Sequence, residues 1–319
     1  MRVLFTGAGG AGTQALWELM SNRYDVHFCD ADPRRISPVV PDSHAHAVPM
    51  GADPSFLDAV VRLSGDIGID VLVPGVDEEL ETLARHRADL EPTAVLLPTV
   101  EFVGTMLDKF DFVDFLVRAG IPVPRTALLG DSDGWDRFPA IVKPRRGRGS
   151  RGISVAADAR ALDGIRYRHA IDVNAYVVQE LIRGDEYSVQ VMVNGSGALR
   201  AVYPAHVLAK RGITISAIGT PHPGVLALCK QIHAASPTPG CYNVQGIVDE
   251  HGAFIPFEVN PRVSTTLCLA VAAGLDPIAL CFDDVTCAPL ADFEADVRLE
   301  RFWSNEIVRP SDDDRGRQR

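Results

Sequence analysis

Through the first hundred residues the apolar positions come in short runs, each followed by a turn and then by helical spacing. Residues 2–6 form one such run, and Gly7-Ala8-Gly9-Gly10-Ala11-Gly12 follows it. Within 13–22, Ala15, Leu16, Leu19 and Met20 recur at the three-to-four spacing of a helix face. A second run at 26–29 ends at Asp30 and Asp32. Strands at 45–48, 70–74 and 94–97 then alternate with helices at 55–63 and 80–88. This alternation predicts a small α/β unit over 1–98 with a mainly parallel sheet. Its crevice lies beyond the carboxyl ends of the strands, where Gly9, Asp30, Val76, Asp77 and Glu78 are expected. Acids there can hold a substrate amine, or can simply be a solvated loop and an acid-rich first helical turn.

The pattern then changes. Residues 101–118 read as one helix with Phe112, Val113, Leu116 and Val117 on its apolar side, stopped at Gly120-Ile121-Pro122-Val123-Pro124. We place a boundary near 124. Beyond it, strands are expected at 138–144, 153–155, 176–182, 186–193 and 199–204. Helices are expected near 159–162 and at 225–233, 267–273 and 277–285, the last with Asp283 and Asp284 facing out. Ser264, Thr265 and Thr266 are candidate caps for the third of these. Residues 212–219 read as mixed strand and loop. Two apolar runs, 243–249 and 254–260, flank Glu250-His251-Gly252 and predict a β-hairpin. The tail 310–319 carries no large apolar side chain and is expected to be disordered.

The 319 residues, 46% of them hydrophobic, suffice for two or three folded domains. The formal net charge of −11 argues against a general nucleic-acid binder. The six cysteines form no C-x-x-C pair, so neither a zinc site nor a disulfide scaffold is expected from them. No apolar run reaches eighteen residues and the chain opens directly on a strand. We therefore expect a soluble cytoplasmic protein with no membrane partner.

Chemistry enters at four places. The spacing Gly7-x-Gly-x-x-Gly12, with Asp30 eighteen residues on, formally fits a dinucleotide fingerprint. A tight strand–helix turn without a cofactor fits it at least as well. Lys143 sits within the apolar strand Ile141-Val142-Lys143-Pro144, where a buried ammonium needs a partner. The next eight residues, 145–152, hold four arginines and three glycines. The amides of such a loop can surround phosphate oxygens, although an exposed basic hairpin has the same composition. At Val178-Gln179-Glu180-Leu181-Ile182 an apolar strand becomes a linker able to hydrogen-bond adenine through the Glu180 carbonyl and the Leu181 or Ile182 amide. In the late hairpin, Gln245, Glu258 and Asn260 offer hard oxygens, and Glu258, Asn260 and Arg262 alternate onto one strand face. Oxygen ligands beside a guanidinium suit Mg²⁺ and phosphate.

The order of these features resembles the ATP-grasp superfamily, in particular the branch of the carbamoyl-phosphate synthase large subunit and related carboxylate–amine ligases. The motifs are Thr6-Gly-Ala-Gly-Gly, Asp108-Lys109, Ile141-Val142-Lys143-Pro144 with its glycine loop, Val178-Gln179-Glu180, Asp185-Glu186-Tyr187-Ser188-Val189, Asn243-Val244-Gln245-Gly246 and Phe257-Glu258-Val259-Asn260-Pro261-Arg262. The resemblance covers roughly 1–305. It implies an α/β fold with a Rossmann-like pre-ATP-grasp domain at 1–98 that does not use its glycines for NAD. A two-part ATP-grasp domain at 99–309 would follow, with an α+β lid at about 125–184 and a C-terminal subdomain.

The resemblance also implies roles. Lys109 and Lys143 become phosphate ligands, and 147–152, with Arg148, Gly149 and Ser150, the lid loop. Gln179, Glu180, Leu181 and Ile182 become the adenine hinge and Glu186 the ribose acid. Gln245, Glu258 and Asn260 become ligands for Mg²⁺ or Mn²⁺, and Arg262 faces the acyl phosphate. Many relatives carry an acid where this chain has Gln245. With one ATP site's worth of motifs and no glutamine-hydrolysing segment, the chain is not a full carbamoyl-phosphate synthase. The implied function is ATP-dependent joining of a carboxylate and an amine, with amino acid-like substrates expected from the acidity near Asp77 and Glu78. The alternatives are an acyl-phosphate-forming kinase-like enzyme of the same fold or a non-catalytic nucleotide-binding protein. A homodimer is expected by analogy. Residues 206–222 match no substrate motif, and proton acceptance from the amine falls to Asp77, Glu78 or His206.

Overall fold

The computed structural model describes residues 1–147, 149 and 151–302. Its first unit runs β1 (Arg2–Phe5), α1 (Thr13–Met20), β2 (Asp25–Asp30), β3 (Ala45–Ala47), α2 (Phe56–Ile67), β4 (Val71–Val73), α3 (Asp77–Arg85) and β5 (Ala94–Val95). The strands pair in parallel in the order β3-β2-β1-β4-β5. The connection reverses direction between β1 and β4, and a crevice opens at such a point. The turns after these two strands approach closely there. A Cβ on Gly75 would meet the Thr6 carbonyl oxygen at 2.4 Å, and Gly7, at φ +62°, lies against Val76. Glycine is required at both positions.

The helix expected over 101–118 is two helices, α4 (Val100–Leu107) and α5 (Lys109–Arg118). Asp108 breaks the run: its backbone is extended and its carboxylate accepts from the Phe110 and Asp111 amides. An N-cap in mid-pattern ends one helix and starts the next.

A four-stranded antiparallel sheet follows, made of β6 (Thr126–Leu128), β7 (Ala140–Pro144), β8 (Ser154–Ala156) and β9 (Tyr176–Glu180), with α6 (Ala159–Arg168) on it. It has its own small core around Trp135, Val142, Leu162 and Val178.

The last sheet has six strands. They are β10 (Asp185–Val193), β11 (Leu199–Arg211), β12 (Ile213–Gly219), β13 (Gly240–Val248), β14 (Phe254–Asn260) and β15 (Arg298–Glu300), in the order β14-β13-β10-β11-β12-β15. Helices α7 (Pro223–Ala235), α8 (Leu267–Ala272) and α9 (Pro277–Cys281) complete it. One face carries a core of Tyr187, Val189, Val191 and Tyr242 against Phe102, Phe112 and Ile232. The other face shares a core with the parallel sheet, where Met192 and Tyr203 join Phe5, Phe28 and Leu267. Mixed α/β architecture, with a parallel sheet first and antiparallel sheets after it, matches the expectation.

Three local expectations change. The mixed segment 212–219 is the strand β12, paired antiparallel with a β11 that runs to Arg211. The final apolar helix stops at Cys281, and Asp283 turns inward to accept from Asn194 and Arg200 at 2.7 and 2.9 Å. Thr266 makes no side-chain cap for α8; its hydroxyl bonds Ser188 and Ser264 instead. The tail expectation at 310–319 lies outside the described residues.

Candidate active site

The predicted hairpin exists. β13 and β14 pair in the register Gln245↔Glu258, with an irregularity just after Gln245, and a turn ordered by Asp249 joins them. This hairpin forms one wall of a cavity of about 280 Å³, and the antiparallel sheet of β7 and β9 forms the other. Ile141 and Ile153 on one side face Ile247, Ile255 and Phe257 on the other. A flat apolar slot between two sheets results. Glu180, Leu181 and Ile182 lie along its edge, and the Leu181 amide, one of the two amides expected to meet adenine, donates instead to the Pro139 carbonyl at 3.2 Å.

Charge gathers at the other end. Lys109 Nζ lies 3.0 Å from Glu258 Oε1 and donates to the Gly147 carbonyl at 2.8 Å. Lys143 Nζ donates to the Phe257 carbonyl at 3.3 Å and stands 5.5 Å from the centre of that ring. Its burial pushes the ammonium down to about 8, although Glu258 pulls it back up. Burial favours the protonated form of Glu258, but Lys109 and Lys143 outweigh it and hold the carboxyl below the usual range. Lys210 also faces this cavity, with its Nζ 2.5 Å from Glu186 Oε1.

The structure brings together Lys109, Lys143, Gly149, Gln179, Glu180, Leu181, Ile182, Glu186, Gln245 and Glu258 on the cavity wall. Gln179 is buried and its amide donates to Thr126. Arg148 and Ser150 lie outside the described residues. Asn260 and Arg262 do not line this cavity. Arg262 Nε instead donates to Asp77 Oδ1 at 2.7 Å, its Nη1 to the Val263 carbonyl, and its Nη2 reaches Asn260 Oδ1 at 3.5 Å. Two of the loop arginines are committed to ion pairs. Arg145 holds Asp108 at 2.9 Å and Arg146 holds Glu81 at 2.7 Å.

Sequence reasoning missed Lys210 and the Ile247–Ile255–Phe257 wall, while Arg151 fell within the expected loop without a role of its own. The alternation of the hairpin carried a signal for the wall, since Ile247 and Ile255 share a face with Gln245 and Phe257 in the paired strands. For Lys210 no local signal existed. It enters because β11 runs seven residues beyond the expected strand end at 204, to Arg211.

A second cavity, of about 310 Å³, opens at the reversal point of the parallel sheet. Gly7, Gly9, Asp30, Arg35 and Glu78 line it, and Arg151 from the glycine loop reaches both cavities. Asp30 is occupied here: its carboxylate accepts from the Gly9 and Asp32 amides at 2.8 and 3.0 Å. Asp77 faces Arg262, and His206 stacks on Tyr187 and lines neither cavity.

The residues of the first cavity suit a nucleotide. An apolar slot fits a base, backbone groups lie on its rim, and lysines stand at the far end. The oxygens of Gln245 and Glu258 come from paired positions, and a half-buried carboxylate with an amide oxygen is a donor set for a hard divalent cation.

Comparison with known proteins agrees with this arrangement. An ATP-grasp domain model matches residues 106–266, half of the chain. A carbamoyl phosphate synthase large chain from Thermotoga sp. (strain RQ2) is 26% identical over 308 residues, which is 84% of this chain but 27% of that one. The chain thus spans about a quarter of the length of that relative. Among solved structures, N5-carboxyaminoimidazole ribonucleotide synthetase from Thermotoga maritima is similar at a TM-score of 0.66 with 20% identity, over 92% of this chain and 78% of the other. L-amino acid ligase from Bacillus licheniformis is similar at 0.66 with 13% identity, over 85% and 70%. Among the described residues no helix is long and apolar enough to cross a membrane. With the matched segment running from α4 through both walls of the lysine-lined cavity to Thr266, the chain belongs to the ATP-grasp family.

Proposed function

We propose that the protein is an ATP-dependent carboxylate–amine ligase, forming an amide or peptide bond through an acyl phosphate and releasing ADP and phosphate. The observation that carries this reading is the meeting of Lys109, Lys143 and Glu258 on the wall of an apolar slot. In this account residues 1–98 form the pre-ATP-grasp domain and 99–309 the ATP-grasp domain, with 125–184 as its lid. The low-identity likeness to the carbamoyl phosphate synthase large chain supports that branch for this chain.

The slot of Ile141, Ile153, Ile247 and Ile255 takes the adenine, and the backbone of 180–182 reads its edge. Lys109 and Lys143 bind phosphate oxygens from fixed positions, so little reorganisation is needed as charge moves. Glu258 and Gln245 hold the divalent cation, with Asn260 next along the same strand face. Mg²⁺ held there would offset the repulsion between a carboxylate and the triphosphate. Glu186 meets the ribose, with Lys210 holding its carboxylate. The glycine loop closes over the phosphates and keeps water from the reacting carbonyl. Arg151, which faces both cavities, and Arg262, anchored by Asp77, orient the acyl group between the nucleotide and the crevice. The crevice receives the amine substrate, and Glu78 on its wall is a candidate proton acceptor.

The test is phosphate release from Mg·ATP against amino acids and small carboxylates, supplied singly and in pairs, with mass spectrometry of the products. Release that requires a pair, and a product lighter than the two by one water, supports ligation. Release with a single carboxylate replaces ligation with kinase-like acyl-phosphate formation. Binding of ATP with no turnover on any pair would argue for a nucleotide-binding protein.

A further inference from the structure

At the amino-terminal end of β2 three side chains converge. Asp25 opens the strand and His27 follows two residues on, so both project from one face. His44 reaches the same point from a 3₁₀ turn, Asp42–His44. Asp25 Oδ1 lies 3.4 Å from His27 Nε2 and 3.2 Å from His44 Nε2, and the three donor atoms fall within 4.8 Å of one another. A tetrahedral ion with bonds of about 2.0–2.1 Å separates its ligands by about 3.3–3.4 Å. Two edges of the cluster already have that length.

Three features distinguish this cluster from an ordinary polar surface. First, His27 is 7% exposed, and its buried Nε2, aimed at Asp25, has no hydrogen-bond partner. Second, every ligand is held from behind. His27 Nδ1 is 3.0 Å from His46 Nε2, His44 Nδ1 is 2.9 Å from the Ser43 hydroxyl, and Asp25 Oδ2 accepts from Arg2 Nε at 3.2 Å. Partners on the far nitrogens fix imidazole orientation and tautomer, as in metal sites. Third, the tautomer in which His27 Nδ1 donates to His46 leaves the Nε2 lone pair free to bind a cation placed between it and Asp25, whereas the other tautomer donates Nε2–H to Asp25.

We propose that Asp25, His27 and His44 form a divalent-metal site, with Zn²⁺ the best match to two nitrogens and one oxygen in tetrahedral spacing. Asp25 and the rim are solvent-exposed, so an entry path exists and water can complete the coordination. The site is separate from the proposed nucleotide chemistry. Asp30, at the crevice end of β2, is roughly 17 Å away along the strand. A metal here would tie the 3₁₀ turn to the sheet edge, a structural task.

Isothermal titration of ZnCl₂ into the chelator-treated full chain tests this. A Cys287→Ser background removes the exposed cysteine among the described residues as a competing ligand. One Zn²⁺ per chain is expected, with a Kd of about 1 µM or tighter, and with Co²⁺ the visible absorption of a tetrahedral site. His44→Ala and Asp25→Asn, both at accessible positions, should each weaken binding by about 100-fold while leaving the circular dichroism spectrum unchanged. Zn²⁺ should also raise the thermal midpoint of the parent and not of His44→Ala. Absence of binding to the folded parent, or equal affinity in parent and His44→Ala, would overturn the proposal. Neither readout depends on ATP or on turnover.

Discussion

Lys109 Nζ and Glu258 Oε1 lie 3.0 Å apart across 149 residues of chain, on the wall of the apolar slot. Each is a component of the proposed phosphate and metal set. Removing either leaves the other charge buried and unbalanced. Glu258→Gln should cut phosphate release by about 100-fold or more, as expected for loss of preorganised electrostatic stabilisation. Nucleotide affinity in the absence of divalent cation should change much less. Calorimetry with and without Mg²⁺, beside a turnover assay, checks both parts.

Lys143 gives a pH signature. Its ammonium is held down to about 8 by burial, from an ordinary 10.5. Phosphate binds the charged form and raises its pKa in the complex. ATP affinity should therefore be level below pH 8 and fall above it, toward tenfold per pH unit. Lys143→Arg keeps the charge across this range and should flatten the profile. The stability effect runs the other way. Between about 8 and 10.5 the unfolded chain holds the proton and the folded one does not, so Lys143 contributes increasing stability as pH rises through that window.

Glu79 is buried beneath the crevice and accepts from the Thr6 hydroxyl and from the Gly75 and Val76 amides. Burial raises its carboxyl to about 7 from 4.5, against the pull of these donors. The folded state then holds a proton that the unfolded state loses, so stability falls as pH rises from about 4.5 to 7. Glu79→Gln keeps an acceptor oxygen without the charge. Its thermal midpoint relative to the parent should improve from pH 5 to about pH 7 and level off above that. A constant difference across that range would refute the assignment.

Arg262 and Asp77 join the late hairpin to the start of α3 at 2.7 Å, with side chains only 12% and 14% exposed. We expect Asp77→Asn to misplace the guanidinium and lower turnover by about tenfold to 100-fold, the scale of a small loss of alignment. Nucleotide affinity should stay within about twofold, because the pair lies off the slot. Comparing kcat with nucleotide Kd for this variant separates the two.

Local features were legible where pattern and chemistry coincided. The hairpin β13–β14 followed from alternation around Glu250-His251-Gly252, and Lys143 stood out as a charge inside an apolar strand. Asp108 was harder, because a cap within continuous helical spacing leaves the period unbroken. Lys210 was not legible: it lies where β11 runs past its pairing with β10 into polar sequence, opposite Thr214 of β12, and reaches Glu186 from there. The Arg262–Asp77 contact spans 185 residues and depends on how the two sheets pack. No window of sequence contains it. The arginines of 145–152 misled in a different way, since Arg145 and Arg146 carry the right charge for phosphate but find Asp108 and Glu81 first.

The most direct test follows oxygen. With the substrate pair that supports turnover, the carboxylate is labelled with ¹⁸O and the released phosphate is analysed by mass spectrometry. Ligation through an acyl phosphate predicts one labelled oxygen transferred to phosphate for each bond formed. Phosphate free of label, with all of it remaining in the organic product or in water, would contradict the account.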